Sequence, residues 1–207
     1  RGTTALVLPG TGAATLREVE RQLASDEGRW IVRTLARAHA SGAHVATSCA
    51  GVFFAAAAGL LDGQRATTSW FLAPSLASTY PRIDVEADRV LVESGRCLTG
   101  GAALAHADVM LALVERLASP VLATHAASYL LLDRRRSQRP YVVLSALLAG
   151  EPTLRRADTW VRRHLADRFT VGELAREVGV SARTFARLVH KTCGLSPIKL
   201  IQRIRVD

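Results

Sequence analysis

Two sets of residues have types and spacings that could do chemistry: Cys49, and a row of cations at 183–191. Cys49 follows the β-prone run HVATS and precedes the helix-forming run AGVFFAAAAGLLDG. A strand that turns at once into a helix has the geometry of a nucleophile elbow, which exposes one side chain at the head of a sheet. A thiol there also sits at a helix N-terminus, where the dipole favours the thiolate. A cysteine nucleophile needs a base within hydrogen-bond reach. His39, His44, His106, His125, His164 and His190 are the imidazoles on offer, and folding could bring His106 or His125 to Cys49. The plainer reading is a small packed thiol, because cysteine is among the most buried residue types.

The second set lies on one helix face. Arg183, Arg187 and His190 fall at i, i+4 and i+7, with Lys191 beside them, while Phe185, Leu188 and Val189 face the other way. Arginine can pair with a guanine edge through two hydrogen bonds, and lysine or histidine can contact phosphate or the groove wall. The flanking residues frame this helix. Thr170 and Glu173 form a capping box for a preceding helix, whose Leu174, Ala175 and Val178 share one face. Gly179 stops that helix, and Ser181 is a good N-cap for the next. The pattern predicts a helix-turn-helix with a three-residue turn and a cationic outer face, although an ordinary helical hairpin with solvated arginines has the same periodicity. Candidate DNA contacts are Ser181, through its backbone amide, Arg183, Thr184, Arg187, His190 and Lys191.

Composition agrees with a nucleic-acid partner. The 207 residues carry a formal net charge of +9. Residues 151–207 hold 12 of the 27 Lys and Arg but only 6 of the 18 acidic residues, so the excess is concentrated at one end. At 49% hydrophobic and 22% charged the chain is globular rather than disordered. No long uncharged apolar run is present to span a bilayer, and no signal peptide is visible, so no membrane association is expected. Cys49, Cys97 and Cys193 are widely spaced and odd in number, which gives no disulfide framework and no C-x-x-C metal pair. No metal or cofactor is therefore expected, and a reducing cytoplasm is the simple location.

The elements that must position these residues follow in chain order. Residues 3–8 read as a buried strand ended by Pro9-Gly10-Thr11-Gly12, a glycine loop without phosphate-loop spacing. Helices are expected at 17–23 and 28–40, a strand at 44–48, and the elbow helix after it. Residues 65–68 read as a strand leading to Ser69, Trp70 and a helix ending near Ser78. Residues 83–85 and 90–93 look like a small hairpin or edge pair. Long helices are expected at 102–117 and 121–132. Alternating short strands and helices imply a parallel sheet covered on both faces. The charged run DRRRSQRP, 133–140, marks a domain boundary.

The C-terminal run HLADRFTVGELAREVGVSARTFARLVHKTCGLSPIKLIQRIR resembles the DNA-binding domain of AraC-type regulators, with S-x-R-x-F-x-R followed by G-x-S-P as its specific part. That resemblance implies two helix-turn-helices joined by a linker helix. This sequence carries the first and ends at Asp207, inside the linker helix. From Leu8 onward, LPG, TSCAG, AAGLLDGQRATTSW and TGGAALAHADVMLALVERL resemble the ThiJ/PfpI superfamily, in the GlxA-type branch where such a domain precedes an AraC-type module. The implied fold is a three-layer α/β sandwich with a mostly parallel, flavodoxin-like sheet, incomplete at the N-terminus, followed by a small all-α helix-turn-helix domain. The implied domains are 1–138, a linker at 139–151, and 152–207.

The implied function is sequence-specific DNA-binding transcription regulation, with a non-catalytic α/β domain that senses a small-molecule effector or forms a homodimer. Ligand-pocket candidates are Cys49, Ala50, Ser69 and Trp70. Ser69 stands where many relatives have histidine, and Ala50 stands where enzymatic members place histidine after the nucleophile. The alternative is a cysteine-dependent amidohydrolase or aldehyde-processing enzyme using Cys49.

Overall fold

The strand His44–Ser48 (β2) is the centre of the first unit. In the computed structural model, which describes residues 4–133, 135–138, 144, 148 and 150–206, the chain divides into two compact units, residues 1–141 and 142–207. Ala5–Leu8 (β1) lies parallel to one side of β2, and Cys97–Gly100 (β6) lies parallel to the other. Leu91–Ser94 (β5) closes the order β1-β2-β6-β5 by pairing antiparallel with β6. Alternate residues of the central strands serve opposite faces. Val45 and Cys97 pack with helices Leu16–Ala24 (α1), Asp26–Ala40 (α2) and Val52–Ala57 (α3). Ala46 and Leu98 pack with Ala105–Leu117 (α5) on the other side. The result is the expected three-layer α/β sandwich, with a mixed sheet.

Three expectations at the sheet are corrected. Residues 83–85 and 90–93 do not pair with each other. Asp84–Val85 (β4) lies parallel to Arg65–Ala66 (β3), while β5 forms its hairpin with β6 across Gly95-Arg96. Gly95 has φ 57°, as the first position of a two-residue hairpin turn demands. The strand β6 was not expected, because Thr99-Gly100-Gly101 resembles a helix start; α5 accordingly begins at Ala105 rather than Ala102. The strand expected at 65–68 stops at Ala66, after which Thr67 and Thr68 turn inward and are fully buried. Ala73–Thr79 (α4) follows, ending at Tyr80 before Pro81, and Pro120–Tyr129 (α6) closes the described helices of this unit.

The second unit is built from Pro152–Arg163 (α7), Val171–Glu177 (α8), Ala182–Cys193 (α9) and Pro197–Val206 (α10). Its core joins Leu154, Ala157 and Val161 of α7 to Leu174 and Ala175 of α8, Phe185 and Val189 of α9, and Leu200 and Ile204 of α10. Leu144 and Leu148, expected within a linker, are buried in this same core. Most of the rest of the expected linker's first half lies outside the described residues.

The capping box of α8 forms as read. The Glu173 amide donates to Thr170 Oγ1 at 3.2 Å, and the Thr170 amide donates to Glu173 Oε2 at 2.7 Å. The second bond, with the Thr170 hydroxyl, holds the Glu173 carboxyl below the usual carboxylate range. A depressed folded-state pKa adds stability that is present above the unfolded value and is lost as pH falls through the folded one. Glu173→Gln is therefore expected to flatten the acid limb of the helical unit's stability profile while leaving its shape near neutrality. Urea midpoints measured from pH 7 down to pH 3 check this.

Candidate nucleic-acid interface and the Cys49 elbow

The turn between α8 and α9 is four residues, 178–181, one longer than the spacing suggested. Gly179 takes φ 79°, a conformation that is cheap only for glycine, and Val180 donates its amide to Ala175 O at 2.9 Å. Ser181 caps α9 by accepting from the Thr184 amide at 3.1 Å, and its hydroxyl donates to Thr184 Oγ1 at 3.0 Å. Arg156 of α7 braces the turn, donating to Val178 O at 3.0 Å.

Burial separates the two faces of α9. Phe185 and Val189 are fully buried, while Ser181, Arg183, Arg187, His190 and Lys191 are exposed. Thr184 is half-buried and tied to the cap. Among the described residues, Arg183, Arg187 and Lys191 have no carboxylate partner. An unpaired cationic row on a rigid helix is free to meet an anion. At the far end of α10, Arg205 donates to Asp167 O at 2.7 Å and lies 4.8 Å over the Phe169 ring. Trp160 stacks on His164 at 4.0 Å and meets Phe169 edge-on. These contacts hold α7 and α10 around the α8–α9 pair.

The elbow also forms. Cys49 has φ 53°, in the left-handed region that a side chain other than glycine's rarely adopts. A short 3-10 turn, Cys49–Gly51, then leads directly into α3. Three bonds hold the strained residue. Its amide donates to Gly101 O at 2.9 Å, its carbonyl accepts from Thr68 Oγ1 at 2.7 Å, and its Sγ accepts from Ser69 Oγ at 2.9 Å. The nearby imidazole is His106, but its Nδ1 lies 3.0 Å from Ser48 Oγ, one residue before the thiol. His125 is exposed on α6.

The hydroxyl on Sγ is a donor rather than a base, so it does not complete a nucleophile–base pair. Ala50 and Ser69 have no accessible surface, Cys49 is 8% exposed, and Trp70 is half-buried, edge-on to Phe71. As it stands the elbow is therefore a closed site. An open cleft of about 510 Å³ lies elsewhere, between β5 and α5, with Arg89, Glu93, Asp108, Arg116 and Arg135 among its lining residues. Burial pushes the Cys97 thiol up and the Cys193 thiol up to about 11, which leaves both poor nucleophiles at neutral pH.

Sequence reasoning missed Thr67, Thr68, Gly101 and Gln138 around the elbow. Thr67, Thr68 and Gly101 stood only inside the ATT and TGG runs of the resemblance, and Gln138 only as an uncharged residue inside a run of arginines.

The fold and these two sites define a class: an α/β sandwich with a strained cysteine elbow, followed by a helix-turn-helix module. Residues 161–202 match the sequence profile of the bacterial regulatory helix-turn-helix proteins of the AraC family. The chain is 27% identical over 155 residues to the HTH-type transcriptional regulator CdhR of Pseudomonas aeruginosa, covering 73% of this chain and 46% of that protein. It is 30% identical over 180 residues to the HTH-type transcriptional regulator GlxA of Rhizobium meliloti, covering 84% of this chain and 54% of that protein. The chain thus spans about half the length of the curated relatives it matches.

In structure it is similar to a ThiJ/PfpI family protein from Pseudomonas syringae, with a TM-score of 0.52, 22% identity, and coverage of 86% of this chain and 64% of that one. Residues 161–202 are thus similar to AraC-family helix-turn-helix proteins, and the α/β unit shares its fold with the ThiJ/PfpI family protein.

Proposed function

We propose that this chain is a sequence-specific DNA-binding transcription regulator. Its α/β unit acts as a non-catalytic sensing or dimerisation domain. The observation that carries this reading is the exposed, unpaired row Arg183, Arg187 and Lys191 on the second helix of an AraC-type helix-turn-helix. In such motifs that helix lies in the major groove. Arg183 and Arg187 pair with base edges, His190 and Lys191 contact the backbone or groove wall, and the Ser181 amide takes a phosphate at the helix start. Thr184 supports the cap that aims this end. The tether between the units falls before Leu144, since Leu144 and Leu148 belong to the helical core. A small-molecule effector and a second copy of the chain are the partners of the α/β unit, and the cytoplasm is the working compartment. Among the described residues no helix is long and apolar enough to cross a membrane.

Arg187→Ala is expected to lose about 1–3 kcal/mol of binding to a preferred duplex and to relax preference at one base position. Fluorescence anisotropy on matched and single-base-substituted duplexes measures both. An unchanged binding curve removes Arg187 from the reading face.

A cysteine-dependent enzyme is the second reading, and the strained φ of Cys49 favours it. Against it stand the Ser69 hydroxyl on Sγ and the placement of His106 on Ser48. It requires Cys49 to alkylate with a midpoint well below about 8.5, and a midpoint near that of free cysteine rejects it.

A further inference from the structure

We propose that Gln138 is a latch that couples the Cys49 elbow to the chain entering the helical unit. This deepens, and rests on, the reading of the α/β unit as a sensing domain. Gln138 is 3% exposed and is the last residue described before the boundary between the two units. Its Nε2 donates to Thr68 O at 2.9 Å and to Arg89 O at 2.9 Å, with Ala87 O at 3.1 Å. Its Oε1 accepts from the Ala102 amide at 3.0 Å. Its own amide donates to Asp88 O at 2.8 Å. A Cβ at Gly101 would fall 2.4 Å from the Gln138 carboxamide, so glycine at that position is what admits the side chain.

The partners of Gln138 are the partners of Cys49. Thr68 gives its hydroxyl to Cys49 O and its carbonyl to Gln138. On the other side Gly101 O accepts from the Cys49 amide, and the next amide, that of Ala102, donates to Gln138. Both backbone polar groups of the strained residue therefore reach the same carboxamide through one intervening link each. Sγ adds a third connection, since Ser69, which donates to it, follows Thr68 in the chain. The segment before Gln138 is anchored as well. Arg135 donates to Asp108 Oδ2 at 2.7 Å and to Leu104 O at 2.8 Å.

A buried carboxamide does not keep its bonds if the groups around it move, and interfaces of this kind have discrete arrangements rather than continuous ones. Ser69 has no accessible surface, and a Cβ on the facing Gly10 would already lie 3.1 Å from the Cys49 Cβ. A group added at Sγ has to displace the Ser69 hydroxyl, and the 67–69 segment shifts with it. Gln138 then loses Thr68 O, and residues 135–138 loosen at the point where the chain leaves the unit. A contiguous hydrogen-bonded network of this kind can carry coupling between sites.

The test uses the whole chain and methyl methanethiosulfonate as probe. The thiolate of Cys49 attacks the reagent's sulfenyl sulfur, Sγ–S–CH3 forms, and methanesulfinate leaves; dithiothreitol reverses the change. The readout is the rate of tryptic cleavage after Arg136, with cleavage after Arg82 as the control for general unfolding. The expected result is at least a fivefold faster cut after Arg136 in the methylthiolated chain, restored by dithiothreitol, with the Arg82 rate unchanged. Gln138→Met, which keeps the volume and removes the bonds, is expected to cut at the fast rate without reagent and to gain nothing from it. Thr68→Val, which removes the hydroxyl bond to Cys49 O and keeps the Thr68 carbonyl on Gln138, is expected to cut at the unmodified wild-type rate without reagent.

An Arg136 rate that neither methylthiolation of Cys49 nor Gln138→Met changes overturns the latch. So does a reagent effect that is equal in wild type and Gln138→Met. If the latch responds while affinity for duplex DNA does not, the latch stands and the sensing role fails instead.

Discussion

Phe185→Ala is expected to cost the helical unit about 3–5 kcal/mol, the range for deleting a buried phenyl ring. The ring is fully buried in the core that joins α7, α8, α9 and α10. A unit of this size holds only ~3–10 kcal/mol in total, at about 0.05–0.15 kcal/mol per residue. One substitution therefore removes most of what keeps α9 in place, and the cationic face is lost with it. Hydrogen exchange read by mass spectrometry separates the units: amides of 152–206 are expected to lose protection while those of β2 and β6 keep it. Unchanged protection in α8 and α9 would show that the core does not depend on this ring.

The second large effect lies at the elbow. A Cβ on Gly51 would fall 2.5 Å from Pro9 O and 3.0 Å from Leu8 O, both backbone atoms. A carbonyl at the end of a strand cannot swing aside as a side chain can, so Gly51→Ala is expected toward the top of the ~1–3 kcal/mol range for overpacking. Gly172→Ala is the matched contrast. Its nearest neighbour is Thr170 Oγ1 at 3.8 Å, and it sits in α8, where alanine gains up to about 1 kcal/mol over glycine. Thermal melts should move in opposite directions for the two. A stable Gly51→Ala chain would mean the Pro9 loop does not press on the elbow.

What was legible in the sequence was local. The Thr170–Glu173 capping box, Gly179 and Ser181 each act on neighbours a few residues away, so α8 and α9 could be read from spacing alone. The same holds for His44–Ser48 and the helix after it. What escaped was long-range pairing. Asp84–Val85 finds β3 in parallel, and Cys97–Gly100 is too short to stand out beside two glycines. Cys49 was legible as an elbow, but its bonds to Thr68, Ser69 and Gly101 come from loops 19 to 52 residues away in the chain, and no periodicity encodes them. Arg183 and Arg187 were visible because helical spacing decides exposure once Phe185 and Val189 are buried.

The central claim is that the exposed face of α9 reads duplex sequence. Selection of duplexes from a random-sequence pool by this chain, beside the Arg187→Ala chain, tests it most directly. The account predicts a recurrent motif enriched by the wild-type chain, with one position relaxed for Arg187→Ala. Retention of the pool without any enriched motif, at equal levels for both chains and falling with salt in the same way, would leave only a non-specific basic surface and contradict it.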